Sequence, residues 1–132
     1  MRKVILDTNV FLSGILFGGI SAQLLGGIQN RKFALCTSRQ LYNEIYDKLV
    51  YKFYVDKSII RDVSILLSYG IIFSPKKTVH FREDEKDAYL LELAQESKAD
   101  YIVTGDKKHL LPLKKWKSTR ILSPREAKEV LL

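Results

Sequence analysis

The chain has 132 residues, 46% of them hydrophobic, one cysteine and a formal net charge of +7. That length and apolar content suit a single ordinary globular domain, residues 1–132, and the lone Cys36 excludes an internal disulfide and is expected to be a buried small apolar residue. No apolar stretch approaches a membrane span, and Met1-Arg2-Lys3 leads directly into a strand pattern, so a cytoplasmic protein with no membrane association is expected.

Taken in order, strand-like and helix-like segments alternate without repeats or long linkers. The apolar run ending at Leu6 reads as a buried strand, and a helix starting near Thr8-Asn9 breaks around Gly18-Gly19, resumes at Ser21 and ends near Gly26-Gly27. Phe33 to Thr37 is a second strand. Leu41, Ile45 and Leu49 then recur at helical spacing, and Asp56 to Tyr69 is a further helix with Ile59, Val63, Leu66 and Leu67 inward and Gly70 as its C-cap. Ile71 to Phe73 is a short strand. Asp84 to Lys98 is the clearest helix, opened by Glu83, Asp84 and Glu85, with Asp84 as its cap. Tyr101 to Thr104 and Arg120 to Leu122 are strands, and Pro124 to Val130 a last helix. Such alternation predicts an α/β fold, a central parallel β-sheet of about five strands flanked by helices on both faces.

Charge is unevenly spread. Lys107-Lys108-His109 and Lys114-Lys115-Trp116-Lys117 crowd one late segment, with Lys76-Lys77 as a smaller group. A basic surface attracts polyanions, and nucleic acid is the commonest in a cell; Lys107, Lys108, Lys114, Lys115 and Lys117 are candidate contacts.

The acids are informative by position. Two apolar runs end in a carboxylate, Val4-Ile5-Leu6-Asp7 and Tyr101-Ile102-Val103-Thr104-Gly105-Asp106. In open α/β sheets ligands bind beyond the carboxyl ends of strands, so both acids would face one crevice. For Asp7, Thr8 or Asn9 the bland alternative is a helix cap. Asp87 lies on the helix face of Leu90, Leu91 and Ala94, and Glu44 flanks the Leu41 stripe near the start of its helix, where pairing with a lysine is the alternative role. Four carboxylates brought together repel one another and call for a cation. Oxygen-only ligands suit Mg2+ or Mn2+, an ion that can activate water and neutralise charge on a phosphodiester.

At this point the residues resemble the PIN-domain ribonucleases, and more closely the branch of toxin components of toxin-antitoxin systems. The resemblance rests on Val4 to Val10, on Glu44-Ile45 followed by Lys52-Phe53, on Lys86 to Ala94, and on Ala99 to Asp106. It implies a magnesium- or manganese-dependent endoribonuclease acting on RNA, frequent homodimers and, for toxins, a cognate antitoxin that inhibits the site. Carried over by position, Asp7, Glu44, Asp87 and Asp106 form an acidic quartet that binds the metal and carries catalysis, with Thr8, Asn9 and Thr104 supporting it from behind. Some members add an acid after the Thr-x-Asp motif; here Lys107-Lys108-His109 stands there, leaving one or two ions open, and His109 reads as a surface or phosphate-contacting residue. A non-catalytic nucleic-acid-binding or interaction module on the same fold is the alternative. A phosphotransfer domain would want adjacent acids after the first strand, and an Asp-x-Asp phosphatase is excluded by Asn9.

Overall fold

The structure is a computed structural model that describes residues 1–76, 78–79 and 87–132. Strand β1 (Lys3–Leu6) lies in the middle of the sheet, and its Val4, Ile5 and Leu6 have no solvent exposure. Burial on both faces is why the strand is continuously apolar rather than alternating. Helices α1 (Thr8–Leu16) and α2 (Gly19–Gln29) follow, meeting at 102°. Gly18, with φ of 84°, turns that corner, a left-handed conformation that costs glycine little. The expected restart at Ser21 and stop near Gly26-Gly27 are corrected: Ser21 is buried inside α2, which runs through both glycines. Gly27 is there for space, since a Cβ would sit 2.8 Å from Leu132 and 2.9 Å from Phe33.

The first half continues with β2 (Ala34–Ser38), α3 (Arg39–Asp47), a wide helical turn over Lys48–Lys52, α4 (Lys57–Ser68) and β3 (Ile71–Phe73). Leu41, Ile45 and Leu49 are fully buried, as their spacing predicts, and so is Cys36. Gly70 is not the α4 cap, a position held by Tyr69; it leaves room for Leu35, whose side chain would lie 3.0 Å from a Cβ there. The second half holds α5 (Ala88–Ser97), β4 (Tyr101–Val103), a tight turn at Leu111–Leu113, β5 (Lys115–Trp116), β6 (Thr119–Leu122) and α6 (Pro124–Leu131). Glu83, Asp84 and Glu85, and with them the helix start expected at Asp84, lie outside the described residues.

Six strands, rather than five, join in the order β3-β2-β1-β4-β6-β5. All neighbours are parallel except β5, which pairs antiparallel with β6, so the sheet is mixed. The extra strand is two residues long, and its flanking Lys114 (φ 60°) and Lys117 (φ 52°) adopt left-handed conformations. Glycine or asparagine usually marks such hairpin positions, and neither is present to signal this one.

From β1 the chain moves outward to β2 and β3, then α5 carries it back to β4 on the other side. Crossovers of this type are right-handed, so reversing direction puts α5 on the face opposite α1–α4. There α5 packs across β1, β2, β3 and β4, while α6 packs on α2 and β6. Helices therefore cover both faces, as expected. Strand order reverses between β1 and β4, which makes the crevice at their carboxyl ends the place for a site. Among the described residues no single helix is long and apolar enough to cross a membrane.

The α1–α2 corner is close-packed at Gly14, where a Cβ would lie 2.7 Å from Leu25 and 3.0 Å from the Ser21 backbone. Gly14→Ala should cost about 1–3 kcal/mol in denaturant unfolding, since backbone cannot yield as a side chain does. An unchanged midpoint would show that α2 shifts freely.

Candidate active site

The site begins where β1 ends. Val4, Ile5 and Leu6 pair with Tyr101, Ile102 and Val103, so that Asp7 and Thr104 emerge side by side. The Asp7 N–H extends the ladder by donating to the Val103 carbonyl at 2.9 Å. Beyond it, Thr104 Oγ1 donates to Asp7 Oδ2 at 2.8 Å and accepts from the Asp106 N–H at 3.0 Å. One hydroxyl thus links the two strand-end acids. Asp7 does occupy the N-cap position of α1, but its side chain makes no capping bond. The carboxylate is turned to Thr104 instead, which removes the cap reading.

Asp106 is held by the turn that follows β4. Its Oδ1 accepts the N–H groups of Lys108 and His109 at 3.1 and 3.0 Å, and His109 Nδ1 lies 3.5 Å from Oδ2. Asp87 stands at the start of α5, whose Leu90, Leu91 and Ala94 face is buried in the core as the register predicts. Glu44 comes from α3, a helix capped by Ser38, which accepts from the Leu41 N–H at 3.2 Å. It lies past the middle of that helix rather than near its start, one step along a row of Gln40, Glu44 and Lys48. The Glu44–Lys48 ion pair, 3.5 Å, is the lysine partnership of the bland alternative, yet both residues line the cleft. The two readings of Glu44 are compatible.

All four acids line one cleft of about 610 Å³, together with Asn9, Gln40, Lys48, Tyr89, Gly105 and His109. Burial raises the Asp7 carboxyl above its ordinary 3.8; hydrogen bonds from Thr104 and the Thr8 backbone oppose this, and the charges of Glu44 and Asp106 add to it. Asp106 is shifted the other way. Partial burial would raise it, but hydrogen bonds from the Asp87 side chain and the His109 and Lys108 amides, with the His109 ring, hold it below 3.8.

Behind the acids, the Tyr89 hydroxyl is pushed far above its usual value by burial; hydrogen bonding to Glu44 and the charges of Asp7 and Glu44 add to the rise, and the Thr8 hydroxyl opposes it. It therefore stays protonated. Thr8 Oγ1 lies 3.3 Å from the Tyr89 oxygen, so the Thr8 side chain supports Tyr89 while its backbone supports Asp7. Asn9 is exposed on the cleft wall and, among the described residues, makes no hydrogen bond to an acid. Of the candidate lysines, exposed Lys107 and Lys108 follow Asp106 immediately. Lys114, Lys115 and Lys117 belong to the β5 hairpin at the sheet edge, two strands from β4, where Lys117 bonds Gln95 at 2.8 Å and covers the Trp116 ring at 4.8 Å. Lys77 lies outside the described residues. Sequence reasoning passed over Gln40, Lys48, Tyr89 and the inward position of His109. The four-residue spacing from Glu44 could have found the first two.

A cation fits this donor set. Asp87, Asp106 and His109 each offer one ligand atom, all within 4.8 Å of one another, and Asp7 reaches the group through Thr104. The family model of the PIN domain matches residues 3–108, a span that contains all four acids. The chain belongs to the PIN-domain family. A protein of Methanocaldococcus jannaschii of uncharacterized function is 32% identical to this PIN domain over 111 residues, covering 80% of this chain and 71% of its own. PIN domains are in general nucleases that use divalent ions, and nucleic acid is the substrate class this membership implies.

Because the Asp7 pKa is raised, the stability its proton confers is complete below 3.8 and lost as pH rises through the folded value. Asp7→Asn keeps the acceptor for Thr104 without the charge. In metal-free buffer at pH 7 it should raise Tm by about 2–5 °C, and the gain should vanish below pH 3.8. A lower Tm at pH 7 would contradict a net cost of burying this charge.

Proposed function

We propose that residues 1–132 form a single metal-dependent endoribonuclease domain that hydrolyses RNA phosphodiester bonds. The observation that carries this reading is the convergence of Asp7, Glu44, Asp87 and Asp106 on one cleft at the reversal of strand order. Mg2+ or Mn2+ held by these acids would supply charge neutralisation at the phosphate and an activated water. The chain's own residues prepare the place. Thr104 fixes the rotamer of Asp7 and the turn to Asp106, Tyr89, bonded to Thr8, holds Glu44, and Asn9 stands where it could orient a substrate or water. Lys107 and Lys108, exposed beside Asp106, are placed to hold the phosphate backbone on the rim while the acids hold the ion.

The finer reading is a toxin component of a toxin-antitoxin system, acting in the cytoplasm as a homodimer and restrained by a cognate antitoxin. Support for a protein partner comes from exposed apolar side chains away from the cleft, among them Tyr51, Tyr54 and Ile72, at 73%, 81% and 59% exposure. The same surface favours the second reading, a PIN-fold interaction module that binds nucleic acid or protein without cutting.

Purified protein should cleave single-stranded RNA with added manganese or magnesium, and Asp7→Asn should reduce cleavage by at least about a hundredfold while remaining folded. Full cleavage by that variant would place the chemistry elsewhere. No thermal shift and no cleavage at millimolar manganese would favour the interaction module.

The two lysine groups separate in a binding assay on the Asp7→Asn background. Lys107→Ala with Lys108→Ala should weaken RNA binding and reduce its salt slope by about 1–2. If the change falls instead on a variant of Lys114, Lys115 and Lys117, RNA lies along the β5 edge.

A further inference from the structure

We infer that His109 is itself a ligand of the ion, so that the site binds through nitrogen as well as oxygen and prefers manganese to magnesium; this rests on the metal-dependent reading above. The acids alone would make an all-oxygen site, which suits magnesium. The turn after β4 changes the donor set.

With Asp106 Oδ1 taken by the backbone N–H groups of Lys108 and His109, a tight turn closes and the imidazole returns over the carboxylate that built it. Oδ2 faces the ring, 3.5 Å from Nδ1. That is longer than the roughly 2.7–2.9 Å of a charge-assisted N–H···O bond. The two donor atoms are thus near neighbours without being joined to each other, and a small closing movement brings them to the spacing of about 3 Å between neighbouring ligands on an octahedral ion with bonds near 2.1 Å. Asp87 completes the group, with one donor atom from each of the three residues inside 4.8 Å. Of the loop side chains, Asp106 and His109 line the cleft, whereas Lys107 and Lys108 do not. A histidine meant only for phosphate would stand with those lysines, away from two carboxylates that repel the same anion. Imidazole is a softer donor than carboxylate; magnesium, which gives up its waters reluctantly, gains least from it.

The His109 backbone N–H closes the turn on Asp106, and His109→Gln keeps that bond, so the variant should fold, as circular dichroism would check. The test is electron spin echo spectroscopy of Mn2+ bound to the full chain, which detects a directly bound imidazole as nitrogen modulation. Wild-type protein should show the modulation and His109→Gln should lack it. By calorimetry the variant should lose about tenfold or more in Mn2+ affinity and less than about threefold in Mg2+ affinity. Mn2+ bound without nitrogen modulation would overturn the assignment and leave the nuclease reading standing. Modulation retained in His109→Gln would do the same, assigning the nitrogen to His80, the other histidine of the chain. Failure of the wild-type chain to bind Mn2+ at all would sink both.

Discussion

The hydrogen bond from Thr104 to Asp7 is the contact on which the rest of the site depends. A carboxylate at the end of a fully buried strand is far from bulk water, and its own burial works against its charge. A hydroxyl that donates to it while accepting from the Asp106 amide makes that placement tolerable. The same bond fixes the first residue of the turn that aims Asp106, so the geometry of one acid is set by the needs of the other. The cost of crowding like charges is carried by the scaffold around them, through the backbone N–H groups of Lys108 and His109 that hold Asp106 and the Lys48 partner of Glu44. A divalent ion would add to both.

Sheet topology explains why these residues meet. Asp7 and Glu44 come from the half of the chain that builds β1, β2 and β3, and Asp87 and Asp106 from the half that builds α5 and β4. The halves join at the β1–β4 ladder, the seam where strand order reverses. Anything that keeps this seam in register keeps the acids in register, because Asp7 and Thr104 are the next pair after Leu6 and Val103. The strong burial of Val4, Ile5, Leu6, Ile102 and Val103 is therefore directly tied to the site, since a one-residue slip would turn every one of these side chains to the other face.

Much of this could be read from residues alone, and the reasons differ by element. Strands such as Val4 to Leu6 and Tyr101 to Val103 announce themselves because both faces are buried, and an acid after such a run stands out against it. The Leu41, Ile45 and Leu49 stripe was legible because α3 buries one side only. What escaped was set by tertiary contact. Gly27 continues α2 because Phe33 and Leu132 need its space, and Gly70 admits Leu35, so local propensity misplaced a helix end and a cap. The β5 hairpin has no turn residue to reveal it. Tyr89 meets Glu44, a partner that no local window of sequence contains, and His109 is turned inward by the Asp106 turn, whose geometry the residue types alone do not announce.

The separation of the acids along the chain also bears on when the site can exist during synthesis. A nascent chain carrying β1, β2 and β3 holds Asp7 and Glu44 but lacks β4, the neighbour of β1 on the site's other side, and the hydroxyl that steadies Asp7. Until β4 has emerged and docked at a sequence separation of 97, that half offers an ion two separated carboxylates and no cleft. Closing such a long-range parallel ladder is slow compared with forming the local helices. A metal site assembled in this way is absent for most of the chain's own translation, and a product truncated before α5 would carry two of the four acids and no complete site.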